Sequence, residues 1–384
     1  MVIACAAAAW AQSGSRAAAS VIPCRVYDVR DGLSENSVRC IIQDRKGYIW
    51  LGTKDGLSRY NGKEFKVYGN SSDMRQLNVE FIAEHPDGDK LWIASRYSLE
   101  LLDVATGQLT GLDLSGHGIT KSFRTLCYDS DGNLWAGSND GLAVIEAGTW
   151  NDASEYRVKV VYRNDPEDPH SLPSSNVGAL LCDRCGDMWI GTENGLTRYS
   201  RSSGKFTQVN TGSGRKEHFL CIREDENGMI WAGTWDDGMY SINPKDGSVH
   251  NYLSPHGGKD AVPLIRWIWH NDRSTIIICS NSGLFEYDRN NGRLRRMNLS
   301  AGLPNDSFYS CLKDHEGGLW VGTYFNGVFY ISPKAAKIEL YRPSPGSLFS
   351  GTAVSEFCGD GKDRLWVGTE NGGLSLLDRD SGEF

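Results

Sequence analysis

The chain has 384 residues and a formal net charge of −8, with 40 Lys and Arg residues against 48 Asp and Glu residues. Because the sequence contains no cluster of basic residues, nucleic acids and anionic membrane surfaces are poor candidates for partners. The length allows a large hydrophobic core, and all-β repeat folds of this length form single units. The 12 Trp and 16 Tyr residues suit sheet packing and sugar stacking alike, so the aromatic content alone decides nothing.

The first 22 residues are interpreted as a targeting remnant and linker. The segment MVIACAAAAWAQSG contains a short apolar run and an Ala-x-Ala site at Ala9 and Ala11, but it lacks a basic region. We therefore expect the tail of a secretory signal whose start is missing; a lipoprotein signal that uses Cys5 or Cys24 is the alternative. The run is about 10 residues long, which is too short to span a bilayer. The chain is expected to function outside the cytoplasm, with any membrane anchor beyond Phe384.

The segment from Val38 to Tyr68 predicts four short antiparallel strands joined by three tight turns. Its sequence is VRCIIQDRKGYIWLGTKDGLSRYNGKEFKVY. The Asp-Gly and Asn-Gly pairs within it are strong signals of tight hairpin turns, because these residues tolerate positive φ. A four-stranded sheet of about 30 residues cannot bury both of its faces alone, so it must pack against further copies of itself.

Copies of this segment recur along the chain at intervals of 42 to 54 residues. The Trp of the second strand is found at Trp50, Trp92, Trp135, Trp189, Trp231, Trp320 and Trp366, and a degenerate copy has Ile277 in its place. Six positions before the Trp stands, in most copies, an Asp that is predicted to close the first turn by accepting hydrogen bonds from the following amides. A small residue two positions after the Trp is predicted to let the neighbouring sheet approach closely, while the Trp fills the gap between sheets.

Repeated copies at this spacing predict an all-β fold, a β-propeller of four-stranded antiparallel blades. Residues 24–333 are expected to form a seven-bladed propeller, closed by the segment CRVYDV at 24–29, which resembles the fourth strand of a repeat. Residues 336–384 contain a similar segment, KIELY at 337–341, and are expected to begin a second, truncated propeller. The alternative is a single ring of eight blades, in which residues 336–384 supply the eighth.

Ten cysteines raise the question of disulfides in an exported protein. Six of them fall on the first strands of the copies, where cysteine acts as a small buried hydrophobic residue. Cys182 and Cys185 have the spacing of a redox or metal motif, but no second Cys or His pair follows at zinc spacing. A local disulfide between these two residues stays open, and neither a metal nor a cofactor is expected.

Two copies show the pattern clearly: DGLSENSVRCIIQDRKGYIWLGTKDGLSRYNG at 31–62 and NDPEDPHSLPSSNVGALLCDRCGDMWIGTENGLTRY at 164–199. They resemble the two-component regulator propeller repeat, and the resemblance extends over residues 25–384, with departures in the copies around Trp92 and Ile277. It implies the periplasmic sensor ectodomain of an inner-membrane hybrid two-component histidine kinase from glycan-degrading bacteria. It also implies an oligosaccharide or other small ligand, a homodimer in the full-length protein, and membrane attachment only through parts beyond this chain. No kinase module lies within these residues, so no catalytic residue is expected.

The loops between the second and third strands of a propeller converge around the mouth of its central channel. Several of these loops carry an aromatic residue beside a carboxylate or an amide, the combination that sugar recognition needs. Arg96 is suited to pair with a uronate or a sulfate. The candidate ligand-binding residues are Arg96, Tyr97, Asn139, Asp140, Trp235, Asp236, Asp237, Tyr324, Phe325 and Asn326. The alternative is that they form ordinary turns of variable sequence.

Two other functions fit the sequence. A free-standing carbohydrate- or protein-binding propeller requires that the gene end near Phe384. Propeller lyases that act on cyclic peptide antibiotics carry a similar repeat and use His and Glu with a divalent metal, so a cluster of His and Glu on one face would support an enzyme. The eight His residues are scattered, and neither a Ser-His-Asp order nor a phosphate loop stands out, so a non-enzymatic sensor is favoured.

Overall fold

A computed structural model of the chain describes residues 21–68, 78–120, 122–146, 156–256, 261–299, 307–334 and 353–379, together with Tyr341, Phe349 and Phe384. These residues contain 33 β-strands and two short 3-10 helices, Val29–Asp31 and Ser115–His117. The chain divides into two compact units. The larger comprises Cys24–Met297 and Ala301–Pro333, and the smaller comprises Met1–Pro23, Asn298–Ser300 and Lys334–Phe384.

The strands are numbered in chain order, beginning with β1 (Val21–Ile22) and β2 (Arg25–Tyr27). The first two sheets contain β3–β6 (Val38–Gln43, Ile49–Thr53, Gly56–Tyr60, Phe65–Tyr68) and β7–β10 (Val79–Glu84, Lys90–Ser95, Leu99–Asp103, Leu109–Leu112). The next two contain β11–β14 (Phe123–Tyr128, Leu134–Ser138, Leu142–Ile145, Val158–Tyr162) and β15–β18 (Val177–Cys182, Met188–Thr192, Gly195–Ser200, Lys205–Gln208).

The remaining strands continue the series. They are β19–β22 (Phe219–Glu224, Ile230–Thr234, Met239–Ile242, Val249–Tyr252), β23–β26 (Ile265–His270, Thr275–Ser280, Leu284–Asp288, Leu294–Arg296) and β27 (Asn298–Leu299). After them come β28–β30 (Phe308–Lys313, Leu319–Thr323, Val328–Ile331) and β31–β33 (Val354–Gly359, Arg364–Thr369, Gly373–Asp378).

The larger unit contains seven four-stranded antiparallel sheets among the residues that the structure describes. The seventh sheet has the order β2, β30, β29, β28, and its strand β2 places Val26 opposite Phe329. The first strands of successive sheets contact each other, and β28 contacts β3, so the seven sheets form a closed ring. Pairing a strand from the beginning of the unit with strands from its end covers a sheet edge that would otherwise be free. The prediction of an all-β propeller is confirmed.

The smaller unit contains two sheets in its described part. Strands β1 and β27 pair in parallel, and β31, β32 and β33 form an antiparallel sheet that buries Val367 and Leu377. The predicted targeting segment (except Val21 and Ile22) and KIELY (except Tyr341) lie outside the described residues. The domain boundaries, and the choice between seven and eight blades in the intact protein, stay predictions.

A hydrogen bond between an Asp and a Trp recurs in five blades of the described ring. In the β15–β18 blade the indole Nε1 of Trp189 donates to Asp183 Oδ2 at 2.8 Å, while the backbone amides of Cys185 and Asp187 donate to Oδ1 at 2.9 Å. One carboxylate thus closes the first turn and satisfies a buried indole donor. The other pairs are Trp50 with Asp44, Trp135 with Asp129, Trp231 with Asp225, and Trp320 with Asp314. The turn role of the Asp is confirmed; the sequence analysis missed the indole bond.

The two copies that depart from the repeat lack the bond between Asp and Trp, and neither has an unpaired indole N–H at the position of the repeated Trp. Pro86 stands six positions before Trp92, so that blade has no Asp there, and Trp92 Nε1 donates instead to the hydroxyl of Tyr128 in the next blade at 2.9 Å. In the degenerate copy, Ile277 is buried and has no side-chain donor to satisfy.

The small residue after the Trp is required by the packing between blades. A Cβ added to Gly191 would lie 2.8 Å from Cβ of Phe219 in the next blade, closer than such atoms approach. The glycine therefore lets β19 lie against β16, as the sequence predicts.

Replacing Asp183 by Ala should lower the free energy of unfolding by about 3 kcal/mol, because it removes three hydrogen bonds to a carboxylate and leaves a buried indole N–H unpaired. Urea unfolding followed by tryptophan fluorescence measures this change. Asp55→Ala, at an exposed turn residue, is the control and should change stability by less than about 0.5 kcal/mol. Equal effects of the two substitutions would contradict the role assigned to Asp183.

His270 should make the fold sensitive to mild acid. Neither of its ring nitrogens has a hydrogen-bond partner among the described residues, and burial lowers its pKa to about 4. In the unfolded chain the imidazole of His270 takes up a proton near pH 6.5, whereas in the folded chain it does so only at lower pH. The fold therefore has its full stability above pH 6.5 and loses stability below it. As the pH falls from 6.5 to about 4, about 3 kcal/mol of stability should be lost.

The substitution His270→Leu should flatten this pH dependence, since leucine does not titrate. The midpoint of urea unfolding, measured between pH 7 and pH 4 in about half-unit steps, tests this expectation. The exposed His250 on β22 provides the matched control, His250→Leu, which should keep the slope of the parent protein. A His270→Leu protein with an unchanged slope would show that another group causes the acid sensitivity.

Candidate functional site: the central channel

Each of the seven innermost strands has a β-bulge at its second residue. In β3, for example, the register with β4 shifts between Val38 and Cys40, so Arg39 has no partner in the ladder. A bulge redirects the side chain of the extra residue. The seven bulged residues are Arg39, Glu80, Arg124, Gly178, Leu220, Arg266 and Tyr309. All seven line one cavity of about 420 Å³, which is therefore the central channel.

Arginine dominates the charge of the channel wall. The lining residues include Arg39, Arg96, Arg124, Arg223 and Arg266, with Glu80 as the one carboxylate among the described residues that line it. Arg39 is paired with Glu80 and donates to Asn78 Oδ1 at 2.7 Å. Within the described part of the chain, the other four arginines make no ion pair. The channel is thus positively charged, although the net charge of the whole chain is −8.

Arg223 is a partly buried cation of this set. It stands on β19, three residues after the bulge, and its guanidinium carbon lies 3.9 Å from the ring centre of Trp267. Its Nη1 donates to the carbonyl oxygen of Ile222 at 2.8 Å. Desolvation lowers the pKa of Arg223, but a guanidinium group keeps its charge at any physiological pH. The channel therefore holds a permanent positive charge that is partly shielded from bulk water.

Aromatic rings surround the channel mouth. Trp235 is 49% exposed and stacks on His218, with ring centres 6.0 Å apart and planes 13° apart. Arg266 lies 5.7 Å from the Trp235 ring centre and 4.4 Å from that of Tyr309. Burial lowers the pKa of His218, which keeps the imidazole neutral near pH 7. The arginine is therefore held between two aromatic faces, one of them open to solvent.

The row of rings continues across the next blade. Tyr309 stacks on Tyr324 at a centre-to-centre distance of 5.5 Å, and Tyr324 contacts Phe325 edge to face at 4.0 Å. Phe325 is exposed. We call the side chains of His218, Trp235, Arg266, Tyr309, Tyr324 and Phe325 the mouth row. It presents apolar faces next to a cation, over a surface drawn from three blades.

Hydrogen bonds hold the loops that carry the mouth row. Thr234 Oγ1 donates to the carbonyl oxygen of Gly238 at 2.9 Å and accepts from the amide of Asp237 at 2.9 Å. Thr323 makes the same pair of bonds with Gly327 and with the amide of Asn326, both at 2.8 Å. The Thr of the Gly-Thr pair thus fixes a loop one residue longer than in most blades. Hydrogen-bonded loops therefore carry Trp235, Tyr324 and Phe325 of the mouth row, and rigid loops of this kind suit a binding surface.

Four of the candidate residues are brought together at this mouth. Arg96 and Trp235 line the channel, and Tyr324 and Phe325 belong to the mouth row. Tyr97 is exposed beside Arg96. The structure therefore gathers the aromatic candidates, and the proposal that they bind a ligand is developed below.

The polar candidates lie elsewhere or hold loops. Asp237 is 5% exposed and accepts from the hydroxyl of Tyr240 at 2.6 Å and of Ser254 at 2.5 Å, facing a separate pocket. Asp140 accepts from the amide and hydroxyl of Thr120 at 3.2 and 3.1 Å. Burial lowers the pKa of His218, and the negative charge of Asp236 opposes this shift, so Asp236 lies near His218. Asn139 is exposed, and the amide of Asn326 pins its loop as described.

The sequence analysis missed the bulged residues. In six of the seven blades of the ring the bulge falls eleven positions before the Trp or its replacement, directly after the repeated apolar residue. Three of these six positions are arginine: Arg39, Arg124 and Arg266. A comparison of the residues at this equivalent position in all copies would have revealed the arginines, whereas the sequence of any single strand does not.

The described residues also bear on metal binding and on disulfide formation. No group of three or more His, Cys, Asp or Glu side chains is arranged to hold a metal ion there. Cys182 and Cys185 are free thiols. In the same part of the chain, no helix is long and apolar enough to cross a bilayer.

Comparison with known proteins agrees with the repeat. The sequence profile of the family described as two component regulator propeller matches residues 32–55, 117–140, 171–194 and 302–325. Four segments of the chain thus match the two-component regulator propeller repeat. Among curated proteins, Histidine kinase P4 of Formosa agariphila is 26% identical over 221 residues, which are 55% of this chain and 16% of the kinase.

Solved structures share the fold of these repeats. The extracellular domain of the putative hybrid two component system BT3049 from B. thetaiotaomicron superposes with a TM-score of 0.73 at 22% identity, over 94% of this chain and 48% of that one. A streptogramin B lyase superposes with a TM-score of 0.61 at 13% identity, over 80% of this chain and 96% of the lyase. Both likenesses concern the fold alone. The chain spans about half the length of the first of these structures.

The charge of the channel mouth can be measured through Trp235. Because a positive channel concentrates anions, iodide should quench the fluorescence of Trp235 more strongly than caesium does. The contribution of Trp235 is the difference between the parent protein and Trp235→Phe. Arg266→Met should weaken iodide quenching, whereas Lys159→Gln, on the exposed part of β14, should leave it unchanged. Equal quenching by iodide and caesium would contradict a positive mouth.

Proposed function

We propose that the chain is the ligand-sensing part of a periplasmic ectodomain of a hybrid two-component histidine kinase, and that its channel mouth binds an oligosaccharide. The mouth row is the observation that carries the ligand proposal. The matching repeats and the similarity to part of a histidine kinase support the sensor role. The whole protein is then expected to be a kinase, while the chain described here binds without catalysis.

The mouth row has the chemistry of a sugar site. Sugar rings have apolar faces that stack on exposed aromatic rings, and hydroxyl groups that need polar partners at the edge of the stack. Trp235 and Phe325 supply exposed rings, and Arg266 lies between the blades that carry them. A ligand with several linked rings would therefore contact more than one blade at the same time.

Sensing is proposed to work through geometry. The loops of the mouth are pinned, so a bound ligand changes the shape of this surface little. It can instead favour one arrangement of the ectodomain within a homodimer, by no more than its difference in affinity for the two arrangements. The signal would pass to membrane and kinase parts beyond this chain.

Replacing aromatic rings of the mouth row should weaken saccharide binding. Trp235→Ala and Tyr324→Ala should each weaken binding by about tenfold or more, since each removes a stacking surface. Binding is measured on an array of oligosaccharides and then by titration calorimetry with the saccharides retained. Phe357→Ala, which removes an exposed aromatic ring from β31 in the smaller unit, is the matched control.

Circular dichroism of the two variants should match that of the parent protein, because neither side chain is part of the buried core. Unchanged affinity in both variants would remove the mouth row as the binding site. Failure of the parent protein to retain any saccharide on the array would contradict the ligand proposal itself.

A further inference from the structure

We propose that the ligand of this channel is acidic, and that its sulfate or carboxylate group is bound among Arg124, Arg223 and Arg266. That the ligand is a saccharide rests on the proposed function. That it carries an acidic group rests on the arginines of the channel. The ligand class is thus narrowed from oligosaccharides in general to uronate- or sulfate-bearing ones.

The three arginines reach one cavity from three blades. Arg124 stands on β11, Arg223 on β19 and Arg266 on β23, and all line the channel. None of them has an acidic partner in the described part of the chain. All three are partly buried, and grouping cations there without counter-charges is costly, because partial desolvation and mutual repulsion both oppose folding. A fold that keeps three of them around one opening has a site for an anion supplied from outside.

Unsatisfied polar atoms point into the same place. The Nε atom of Arg266 and the Nε2 atom of His218 are buried without a hydrogen-bond partner among the described residues. Buried polar atoms of native proteins are nearly always paired, so each exception calls for a missing partner. An acidic ligand in the channel brings acceptor oxygens to this region.

The way the arginines are held leaves most of their donors free. The guanidinium carbon of Arg266 lies over the ring of Tyr309, 4.4 Å from its centre, and that of Arg223 lies over the ring of Trp267 at 3.9 Å. A contact with an aromatic ring uses none of the N–H hydrogen bonds, and within the described residues only Nη1 of Arg223 donates to the backbone, to the carbonyl oxygen of Ile222. A guanidinium edge matches the oxygens of a carboxylate or a sulfate in a two-point contact.

The position of the mouth row fits an acidic sugar. A ring stacked on Trp235 lies next to Arg266, whose guanidinium carbon is 5.7 Å from the centre of that indole. An acidic substituent on such a ring therefore points to the arginines of the channel. The cavity of about 420 Å³ falls within the size range of pockets for small ligands.

The ligand-free protein should show the strain of this arrangement. Arg223→Met should raise the melting temperature, because it removes an unpaired, partly buried charge and keeps an apolar contact with Trp267. The comparison is Arg198→Met on β17, where the arginine is paired with Asp187 at 2.6 Å; that substitution should lower the melting temperature. A fall in melting temperature for Arg223→Met would mean that its charge stabilises the fold, and would overturn the proposal.

Binding is tested on an array in which each oligosaccharide is present in neutral, uronate and sulfated forms, with the 384-residue chain as the probe. Only acidic forms should be retained, and inorganic sulfate should compete with them. Arg124→Met and Arg266→Met should each weaken binding by about tenfold or more, because each loses a charged hydrogen-bond partner. Arg266→Lys keeps the positive charge but loses the forked guanidinium group, so its affinity should lie between those of the parent protein and Arg266→Met. Lys159→Gln, with the same change in net charge, should bind like the parent protein.

The outcomes separate this inference from the proposed function. Equal retention of neutral and acidic forms overturns the acidic ligand and leaves the saccharide site standing. Binding of inorganic sulfate alone, measured by calorimetry, supports the anion site and overturns the saccharide. If neither sulfate nor any member of the array binds, both proposals are wrong.

Discussion

The hydrogen bond between a turn Asp and a buried indole is the contact on which the arrangement of this propeller depends. In the β15–β18 blade, Asp183 binds two turn amides and the Nε1 atom of Trp189, so one carboxylate joins the end of the first strand to the middle of the second. Because the Trp fills the space between neighbouring sheets, fixing its position also fixes the distance between blades. Five of the seven described blades contain this contact, so most of the ring is held by the same hydrogen bond.

This joint sets the position of the channel wall. Once the first two strands are held in register at the turn, the bulge at the other end of the first strand falls at the same height in every blade. One bulged residue per blade then faces the channel, and the repeat places no demand on its chemistry. That freedom explains how residues as different as Arg39, Gly178 and Tyr309 occupy equivalent positions. The scaffold is repetitive and the channel wall is individual, which is the separation expected where function is grafted on a common fold.

Much of the fold could be predicted because its causes are local. The Asp183 turn, the small residue Gly191 and the closing strand at residues 25–27 follow from turn chemistry, from packing distance and from the need to cover a sheet edge. The indole bond could not be predicted, because the six-residue spacing does not show that a turn carboxylate and a side chain on the next strand lie on the same side of the sheet.

Only some residues of the candidate site could be predicted from the sequence, and the reason is physical. Trp235 and Tyr324 stood out because loops with an added residue expose their side chains. Asp237 looks the same in the sequence, yet it is buried beneath Tyr240, since a short carboxylate in a tight loop also satisfies neighbouring hydroxyl groups. Arg124, Arg223 and Arg266 escaped detection because each lies in a different repeat, more than 40 residues from the next. Only closure of the ring brings Arg124, Arg223 and Arg266 to one cavity.

The central claim is that this channel is built to hold an anion. The most direct measurement is the crystal structure of the protein soaked in selenate, a heavier analogue of sulfate whose selenium can be located by anomalous scattering. The account predicts a selenium peak inside the channel, placed so that the selenate oxygens lie within hydrogen-bonding distance of the guanidinium groups of Arg223 and Arg266. Selenium peaks on the outer surface, with none in the channel, would contradict it.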